Sequence, residues 1–116
     1  MLFIEYPKCS TCQKAKKWLD THKIEYTDRH IVENNPTYDE LKGWYEKSGI
    51  PLKKFFNTSG MLYKEMQLKD KLPEMKEEEQ LKLLASNGML VKRPLIIEGK
   101  TILTGFREAE WTEKLL

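Results

Sequence analysis

The stretch Leu2-Phe3-Ile4-Glu5-Tyr6-Pro7-Lys8-Cys9-Ser10-Thr11-Cys12-Gln13 places two cysteines, three positions apart, between an apolar run and a helical pattern. Residues 2–6 are typical of a short strand buried on both faces, and Pro7 ends that strand. From Ser10 onward apolar residues return at helical spacing, and Ser10 or Thr11 is predicted to cap the helix. A C-x-x-C sequence at a strand-to-helix junction is a strong indication of a redox-active thiol pair.

The residues that follow predict a strand–helix–strand unit and then a helical segment. Residues 24–28 alternate in polarity and are predicted to form a second strand, parallel to the first. Thr37-Tyr38-Asp39-Glu40 has the form of a capping box, and Gly49 is expected to end the helix that starts there. Further helices are predicted over Leu52–Phe56, Met61–Met66 and Lys76–Ser86.

The last third of the chain predicts a hairpin and a final helix. Apolar runs at 95–97 and 101–104 flank a turn that contains Gly99, which is typical of a β-hairpin. A helix is expected from about Glu108 to Leu115. The whole pattern predicts one α/β domain over 1–116, with a four-stranded mixed sheet and a helical insertion at about 36–88.

Composition narrows the functional classes. The 116 residues suit one domain, and 40% hydrophobic with 33% charged residues is a globular composition. The 20 basic and 18 acidic side chains are well mixed, so direct nucleic-acid binding is not expected and Lys14, Lys16 and Lys17 are interpreted as a solvated helix face. No segment is apolar enough to predict a membrane span, and the first residues lack a signal-peptide pattern, so a cytoplasmic location is expected.

The two cysteines are predicted to have unequal roles. In a reducing cytoplasm a close cysteine pair suits redox or metal chemistry better than structural cross-linking. His22 and His30 show no matching ligand spacing, so no metal site is predicted. The helix N-terminus favours a thiolate on Cys9, and Lys8 could assist it. Cys12, one turn further along, is expected to be less exposed and to resolve a mixed disulfide; alternatively it is only a core residue.

Arg93, Pro94 and Arg107 form a second candidate set. Pro94 directly precedes a predicted strand, where it could also be an ordinary strand-edge proline. An arginine at position 93, held near a thiolate, would favour ionisation and could bind an anion, although it could equally be a surface charge. Arg107 follows the last strand and could reach the same cleft.

These landmarks together resemble the arsenate reductase-like family, which also includes the Spx-type regulators of RNA polymerase. The resemblance is carried by residues 6–12, 38–41, 92–97 and 105–107. It implies a thioredoxin-like core with a helical insertion, in which Pro94 is typically cis and faces the cysteine loop. It also implies that Cys9 matches the cysteine that attacks arsenate and that Arg93 and Arg107 match two of three anion-binding arginines.

The sequence departs from both branches of that family. The third arginine falls at Asn57, which supplies neither the charge nor the forked donors of arginine. Cys12 is an additional cysteine compared with the glutathione-linked reductases. The Spx-type regulators use a C-x-x-C switch and bind the polymerase α-subunit, and they generally extend past the last helix with a basic tail, whereas this chain ends at Leu116.

Three functions follow as hypotheses. The leading one is a thiol–disulfide oxidoreductase that acts on a small-molecule or protein thiol or disulfide, with no bound cofactor and with glutathione, a thioredoxin or a glutaredoxin as external reductant. Its catalytic residues would be Cys9 and Cys12, and its substrate-binding residues would be Ser10, Thr11, Arg93, Pro94 and Arg107. The alternatives are an arsenate reductase linked to glutathione or glutaredoxin, and a redox-sensing regulator that binds the RNA polymerase α-subunit.

Overall fold

The computed structural model describes all 116 residues and contains four strands, six α-helices and three short 3-10 helices. In chain order the elements are β1 (Leu2–Glu5), α1 (Ser10–Thr21), β2 (Thr27–His30), α2 (Tyr38–Ser48), a 3-10 helix (Leu52–Phe55), α3 (Met61–Glu65), α4 (Leu68–Lys71), a 3-10 helix (Leu72–Glu74), α5 (Glu77–Ser86), a 3-10 helix (Gly88–Leu90), β3 (Leu95–Glu98), β4 (Thr101–Thr104) and α6 (Glu108–Leu115).

The four strands form one mixed sheet in the order β2-β1-β3-β4. Strand β1 pairs in parallel with β2, while β3 runs antiparallel to both β1 and β4. This arrangement confirms the predicted α/β class and the thioredoxin-like four-stranded mixed sheet. Because β1 is paired on both edges, the loop that follows it is held at the centre of one end of the sheet.

Each face of the sheet is covered by its own apolar cluster. Phe3 points to the face where α1 and α6 pack, and it lies in a cluster of buried residues with Leu19 and Trp111. Ile4, the next residue along β1, points to the opposite face, where sixteen buried residues from the sheet and the helices between β2 and β3 form the larger cluster. The alternation of Phe3 and Ile4 therefore fixes which face receives α1. None of the helices combines the length and apolar character that crossing a membrane requires.

Two predictions about the first half of the chain are wrong. The second strand was expected at 24–28 but runs from Thr27 to His30, because Ile24 and Tyr26 pack against the α1 cluster from the preceding connection. The chain joins the sheet only at Thr27, whose N–H donates to the Met1 carbonyl at 2.8 Å. The alternating polarity at 24–28 thus arises because Ile24 and Tyr26 are partly buried in the connection before the strand begins.

The start of α1 also differs from its prediction. Neither of the two hydroxyl residues after Cys9 caps the helix; Cys9 itself occupies the N-cap position, with φ −84° and ψ 124° and no side-chain capping bond. The Cys9 carbonyl accepts the first helical hydrogen bond, from the Gln13 N–H at 3.0 Å. The N–H groups of the first turn are therefore free to face the Cys9 sulfur.

Helix α2 begins as the capping box predicts. The Glu40 N–H donates to Thr37 Oγ1 at 3.1 Å, and the Thr37 N–H donates to Glu40 Oε1 at 3.0 Å. The Glu40 carboxylate also accepts two bonds from the Arg29 guanidinium of β2, at 2.7 and 2.8 Å. This bidentate pair joins β2 to α2, and it holds the pKa of Glu40 at about 2. Gly49 ends α2 with φ 66°.

Candidate active site

Cys9 and Cys12 lie at the N-terminal end of α1 in different environments. Cys9 is half-buried at the N-cap, and its N–H donates to the Tyr6 carbonyl at 2.9 Å, which closes the loop between β1 and α1. Cys12 has no exposed surface and lies beneath the helix. The difference in burial agrees with the predicted order of exposure and makes Cys9 the thiol that a solvent-borne reactant can meet.

The surroundings of Cys9 favour its thiolate. Partial burial acts to raise the pKa of the Cys9 thiol, but hydrogen bonds from Cys12, from the Arg93 side chain and from the Thr11 backbone outweigh it. The pKa of Cys9 is therefore lowered from its ordinary value. The donors from Cys12 and Thr11 belong to the first turn of α1, as expected of a thiol at a helix N-terminus, and Arg93 adds a donor from across the cleft.

The surroundings of Cys12 act in the opposite direction. Burial raises the pKa of Cys12 to about 12, a backbone hydrogen bond from Tyr6 opposes this, and the nearby Cys9 and Glu5 add to the rise. Cys12 is consequently a neutral thiol at physiological pH. The pair thus divides into one activated, accessible sulfur and one protonated, enclosed sulfur.

Arg93 faces the cysteine loop from the start of β3. The Arg93–Pro94 peptide bond is cis, as the resemblance implied, and Pro94 is buried. The Arg93 guanidinium lies over the Tyr6 ring, with 5.2 Å from Cζ to the ring centroid. Its Nε and Nη1 atoms are buried and have no hydrogen-bond partner in the chain, and no carboxylate pairs with it. Its positive charge therefore acts on Cys9 without competition from an acidic neighbour.

A cleft of about 740 Å³ opens beside Cys9. Five of its lining residues are cationic and none is acidic. Such a surface attracts anions and strengthens its pull on them where the walls exclude water. The lining residues are Cys9, Thr11, Lys53, Lys54, Phe56, Asn57, Thr58, Ser59, Lys92, Arg93, Thr104, Gly105, Phe106 and Arg107.

The structure brings together most of the residues that the sequence singled out. Cys9, Thr11, Arg93 and Arg107 line the cleft. Ser10 is exposed and Pro94 is buried, and neither contributes to the lining. Arg107 is largely exposed and donates from Nη2 to Glu110 Oε2 at 3.0 Å, so part of its charge is already paired.

Sequence reasoning missed Lys53, Lys54 and Lys92. They reach the cleft because the chain around Phe56 pairs with the chain around Val91 in an isolated antiparallel bridge. The Lys92 N–H donates to the Phe55 carbonyl at 2.7 Å. The basic pairs 53–54 and 92–93 were visible in the sequence, but nothing local shows that residues so far apart lie side by side.

Asn57 also lies in this cleft, at the position where the family resemblance placed the third arginine. The same bridge holds it, since its N–H donates to the Leu90 carbonyl at 2.8 Å. It shares the cleft lining with three lysines, so the cleft keeps a positive character without a third arginine. No group of three or more His, Cys, Asp or Glu side chains is placed to hold a metal ion.

Comparison with known proteins identifies the family. The model of the ArsC family matches residues 4–114, which is nearly the whole chain. This chain belongs to the ArsC family. The match includes the cysteine loop, the helices between β2 and β3, and the hairpin that carries Arg93.

Several relatives within and around this family are similar over most of their length. The chain is 57% identical to the uncharacterized protein YusI of Bacillus subtilis, over 97% of this chain and 96% of that protein. It is 30% identical to the global transcriptional regulator Spx of Staphylococcus aureus, over 90% of this chain and 78% of Spx.

Solved structures share the fold closely. A Bacteroides fragilis chain described as related to the ArsC family superposes with a TM-score of 0.93 at 61% identity, covering 97% of this chain and 94% of that one. A possible arsenate reductase from Streptococcus mutans superposes with a TM-score of 0.86 at 48% identity, covering 91% and 90%. The proteins similar to this chain thus include one named as a possible arsenate reductase and one named as a transcriptional regulator.

Proposed function

We propose that this ArsC family member is a thiol–disulfide oxidoreductase in which Cys9 attacks and Cys12 resolves. The observation that carries the proposal is the contrast between the two sulfurs: the environment of Cys9 favours its accessible thiolate, and that of Cys12 favours a buried thiol. A reactant that enters the cleft meets Cys9 first.

The proposed reaction has two steps. The Cys9 thiolate attacks one sulfur of a disulfide substrate, the substrate S–S bond breaks, and one substrate thiolate leaves and takes up a proton from water. Cys12 then attacks the Cys9 sulfur, a Cys9–Cys12 bond forms, and the second substrate thiolate leaves. The substrate disulfide gains two electrons, the cysteine pair loses two, and an external thiol such as glutathione or a reduced thioredoxin or glutaredoxin returns them.

The cleft indicates the kind of substrate that would be accepted. Its five cations and lack of carboxylates favour a negatively charged thiol or disulfide over a neutral or cationic one. Arg93 is the cation placed beside Cys9, so a substrate carboxylate or a departing thiolate would find a partner there. The proposed substrate class is accordingly an anionic small-molecule or peptide disulfide.

The direct test follows thiol release and protein mass with oxidised glutathione and with an uncharged disulfide. The wild type is expected to release both halves of the disulfide and to finish with a Cys9–Cys12 bond. Cys12→Ser should stop as a mixed disulfide on Cys9, and Cys9→Ser should show neither product. A Cys9→Ser variant that reacts as fast as the wild type, or a Cys12→Ser variant that still releases both halves, would overturn the assignment.

Arsenate reduction is a second candidate, because the cationic cleft beside Cys9 would also suit an oxyanion. Arsenate-dependent NADPH oxidation, coupled through glutathione and glutaredoxin, should then be seen in the wild type and lost in Cys9→Ser. Asn57→Arg should increase it by adding a forked cation to the cleft wall. No arsenate-dependent oxidation in either the wild type or Asn57→Arg would exclude this activity.

A regulatory role is the remaining alternative, supported by the C-x-x-C sequence and by the similarity to Spx. A pull-down with purified RNA polymerase α-subunit, under reducing and oxidising conditions, separates the two classes. Redox-dependent capture without turnover of any disulfide would favour the regulatory role over the enzymatic one. Absence of capture in both states would exclude the regulatory role.

A further inference from the structure

Glu5, the last residue of β1, is the one charged side chain that the fold buries, at 3% exposure. It stands on the face of the sheet where α1 packs, on the same side as Phe3 two residues earlier. A buried carboxylate is unfavourable unless it is paired or protonated. An apolar side chain at this position in the central strand would avoid that cost. The mechanism proposed above does not use this residue.

Cys12 projects from the helix face that covers this carboxyl group. Lys16 follows Cys12 by one helical turn, so both side chains project from the same face of α1. Lys16 Nζ is 3.8 Å from Glu5 Oε2, which places the carboxyl group under that face. The backbone of Tyr6, the residue after Glu5, hydrogen-bonds to Cys12, and the charge of Glu5 acts on the Cys12 thiol.

We propose that Glu5 accepts the proton that Cys12 loses when its sulfur attacks Cys9, directly or through one water molecule. This inference rests on the resolving step of the proposed function. In that step the Cys12–H bond breaks and its proton passes to a Glu5 carboxylate oxygen. The electron pair left on Cys12 forms the bond to the Cys9 sulfur, and the bond between Cys9 and the substrate sulfur breaks with its electrons leaving on the substrate thiolate. Glu5 later returns the proton to solvent.

The need for an acceptor follows from the burial of Cys12. In the reduced protein its pKa of about 12 leaves about one molecule in 10⁵ with a Cys12 thiolate at pH 7. In the mixed disulfide the charge of Cys9 is gone, but burial, the largest cause of the raised pKa, persists and still disfavours the thiolate. Burial, together with a hydrogen bond to Asp28 and the charge of Asp28, raises the pKa of Glu5 to about 7, while Lys16 opposes the rise. A base with a pKa near the working pH is suited to take a proton and give it back.

The charged groups around Glu5 also provide a route for the proton. On the α1 side Lys16 is half-exposed and bridges Glu5 and Asp28, with 3.0 Å from its Nζ to Asp28 Oδ2. On the β2 side Asp28 reaches solvent. His30 is the cross-strand neighbour of Glu5, and its Nδ1 accepts hydrogen bonds from two backbone N–H groups of the turn that follows. On the β3 side the pairing with β1 ends at Ile4, and the charge nearest in the chain at that end is Arg93, whose guanidinium lies over the ring of Tyr6.

A rapid-mixing experiment with Ellman's reagent, 5,5′-dithiobis(2-nitrobenzoate), separates the two steps. The first release of thionitrobenzoate reports the attack by Cys9, and the second reports the attack by Cys12 on the mixed disulfide. Glu5→Gln is expected to slow the second release at pH 7 by at least about tenfold, because loss of a general base commonly lowers a rate by two or more orders of magnitude. The first release should stay within about twofold, since Glu5 is not among the groups that set the pKa of Cys9.

The direction of the effect separates this role from a purely electrostatic one. The negative charge of Glu5 raises the pKa of Cys12, so removing that charge alone would ease deprotonation and speed the second release. A general base predicts the opposite result. A second release that is unchanged or faster in Glu5→Gln, or equal slowing of both releases, would overturn the proposal.

Asp28→Asn provides an independent variant at a partly exposed position. It keeps the Glu5 carboxylate but removes the neighbour that raises its pKa. The pH midpoint of the second release should therefore move to lower pH, and an unmoved midpoint would contradict the proposal even if Glu5→Gln failed to fold. A wild type that gives a single release would instead show that Cys12 does not resolve, and it would remove the proposed function and this inference together.

Discussion

Replacing Glu5 with glutamine is expected to stabilise the protein at neutral and alkaline pH and to have the smallest stabilising effect in acid. The carboxyl group has a pKa of about 7 in the folded chain against an ordinary value of 4.5, mainly because burial disfavours its charge. Between these two values the folded state binds more protons than the unfolded state, so the free energy of unfolding falls as pH rises. Glutamine has the same shape and no titrating group, and it removes this pH dependence.

The magnitude follows from the two pKa values. A difference from 4.5 to about 7 corresponds to about 3 kcal/mol, fully present as a penalty above pH 7 and absent below about pH 4. The attraction between ionised Glu5 and Lys16 is already included in this difference, because Lys16 opposes the rise in the pKa of Glu5. The pH-dependent part is therefore the diagnostic quantity.

Urea unfolding of the wild type and Glu5→Gln, both kept reduced, measures this difference at several pH values from 4.5 to 8.5. The free-energy difference should grow by about 3 kcal/mol in favour of glutamine across that range, with most of the change between pH 5 and 7. Glu25→Gln, on the exposed surface, serves as a control for the general effect of removing one carboxylate. Parallel curves for the wild type and Glu5→Gln would refute the burial argument.

Three further outcomes are expected. Arg93→Gln should raise the pKa of Cys9 towards its ordinary value of 9.0, seen as a shift of iodoacetamide alkylation to higher pH, and an unshifted profile would contradict the assigned role of the guanidinium. Glu40→Gln should destabilise the protein at pH 7 by about 1–2 kcal/mol in urea unfolding, a value reduced for solvent screening of this partly exposed pair. The difference should shrink as pH falls from about 4.5 towards 2, where the Glu40 carboxylate becomes protonated in the folded chain as well. A difference that persists in acid would argue against the ion pair. Gly88→Ala should destabilise by about 3 kcal/mol in the same assay, because a Cβ there would meet the backbone carbonyl of Ile31, and a variant as stable as the wild type would show that this contact relaxes.

The elements that the sequence predicted well are those with a local signal. The capping box at Thr37 and the left-handed glycine at position 49 define α2 through contacts between residues a few positions apart. The hairpin of β3 and β4 is likewise set by its own turn and apolar runs. Strand β2 lies further along the chain than the sequence predicts, because Ile24 and Tyr26 are partly buried against the α1 cluster without pairing in the sheet. The sequence alone does not distinguish burial against a helix from burial in a strand; the pairing with β1 does.

The candidate site was predictable where the family motif and the local chemistry agreed. The position of Cys9 at a helix start and the separation of Cys12 from solvent both follow from the spacing of the two cysteines on one helix. The lysines of the cleft were not predictable, since they depend on the bridge between Phe56 and Val91. Glu5 was counted as part of an apolar strand, because its burial depends on which face of β1 meets α1.

The buried carboxyl group connects stability and the proposed proton transfer in a single measurable quantity. A penalty of about 3 kcal/mol is a substantial part of the 5–15 kcal/mol that stabilises a typical domain. The penalty arises only when Glu5 is ionised, and the ionised form is also the one that can accept a proton from Cys12. The folded-state pKa of Glu5 sets both the alkaline end of the stability change and the midpoint of the second thionitrobenzoate release, so the two should coincide near pH 7 in the wild type and move together in Asp28→Asn. If the alkaline end of the stability change moves and the kinetic midpoint does not, Glu5 is a buried acid that takes no part in the resolving step.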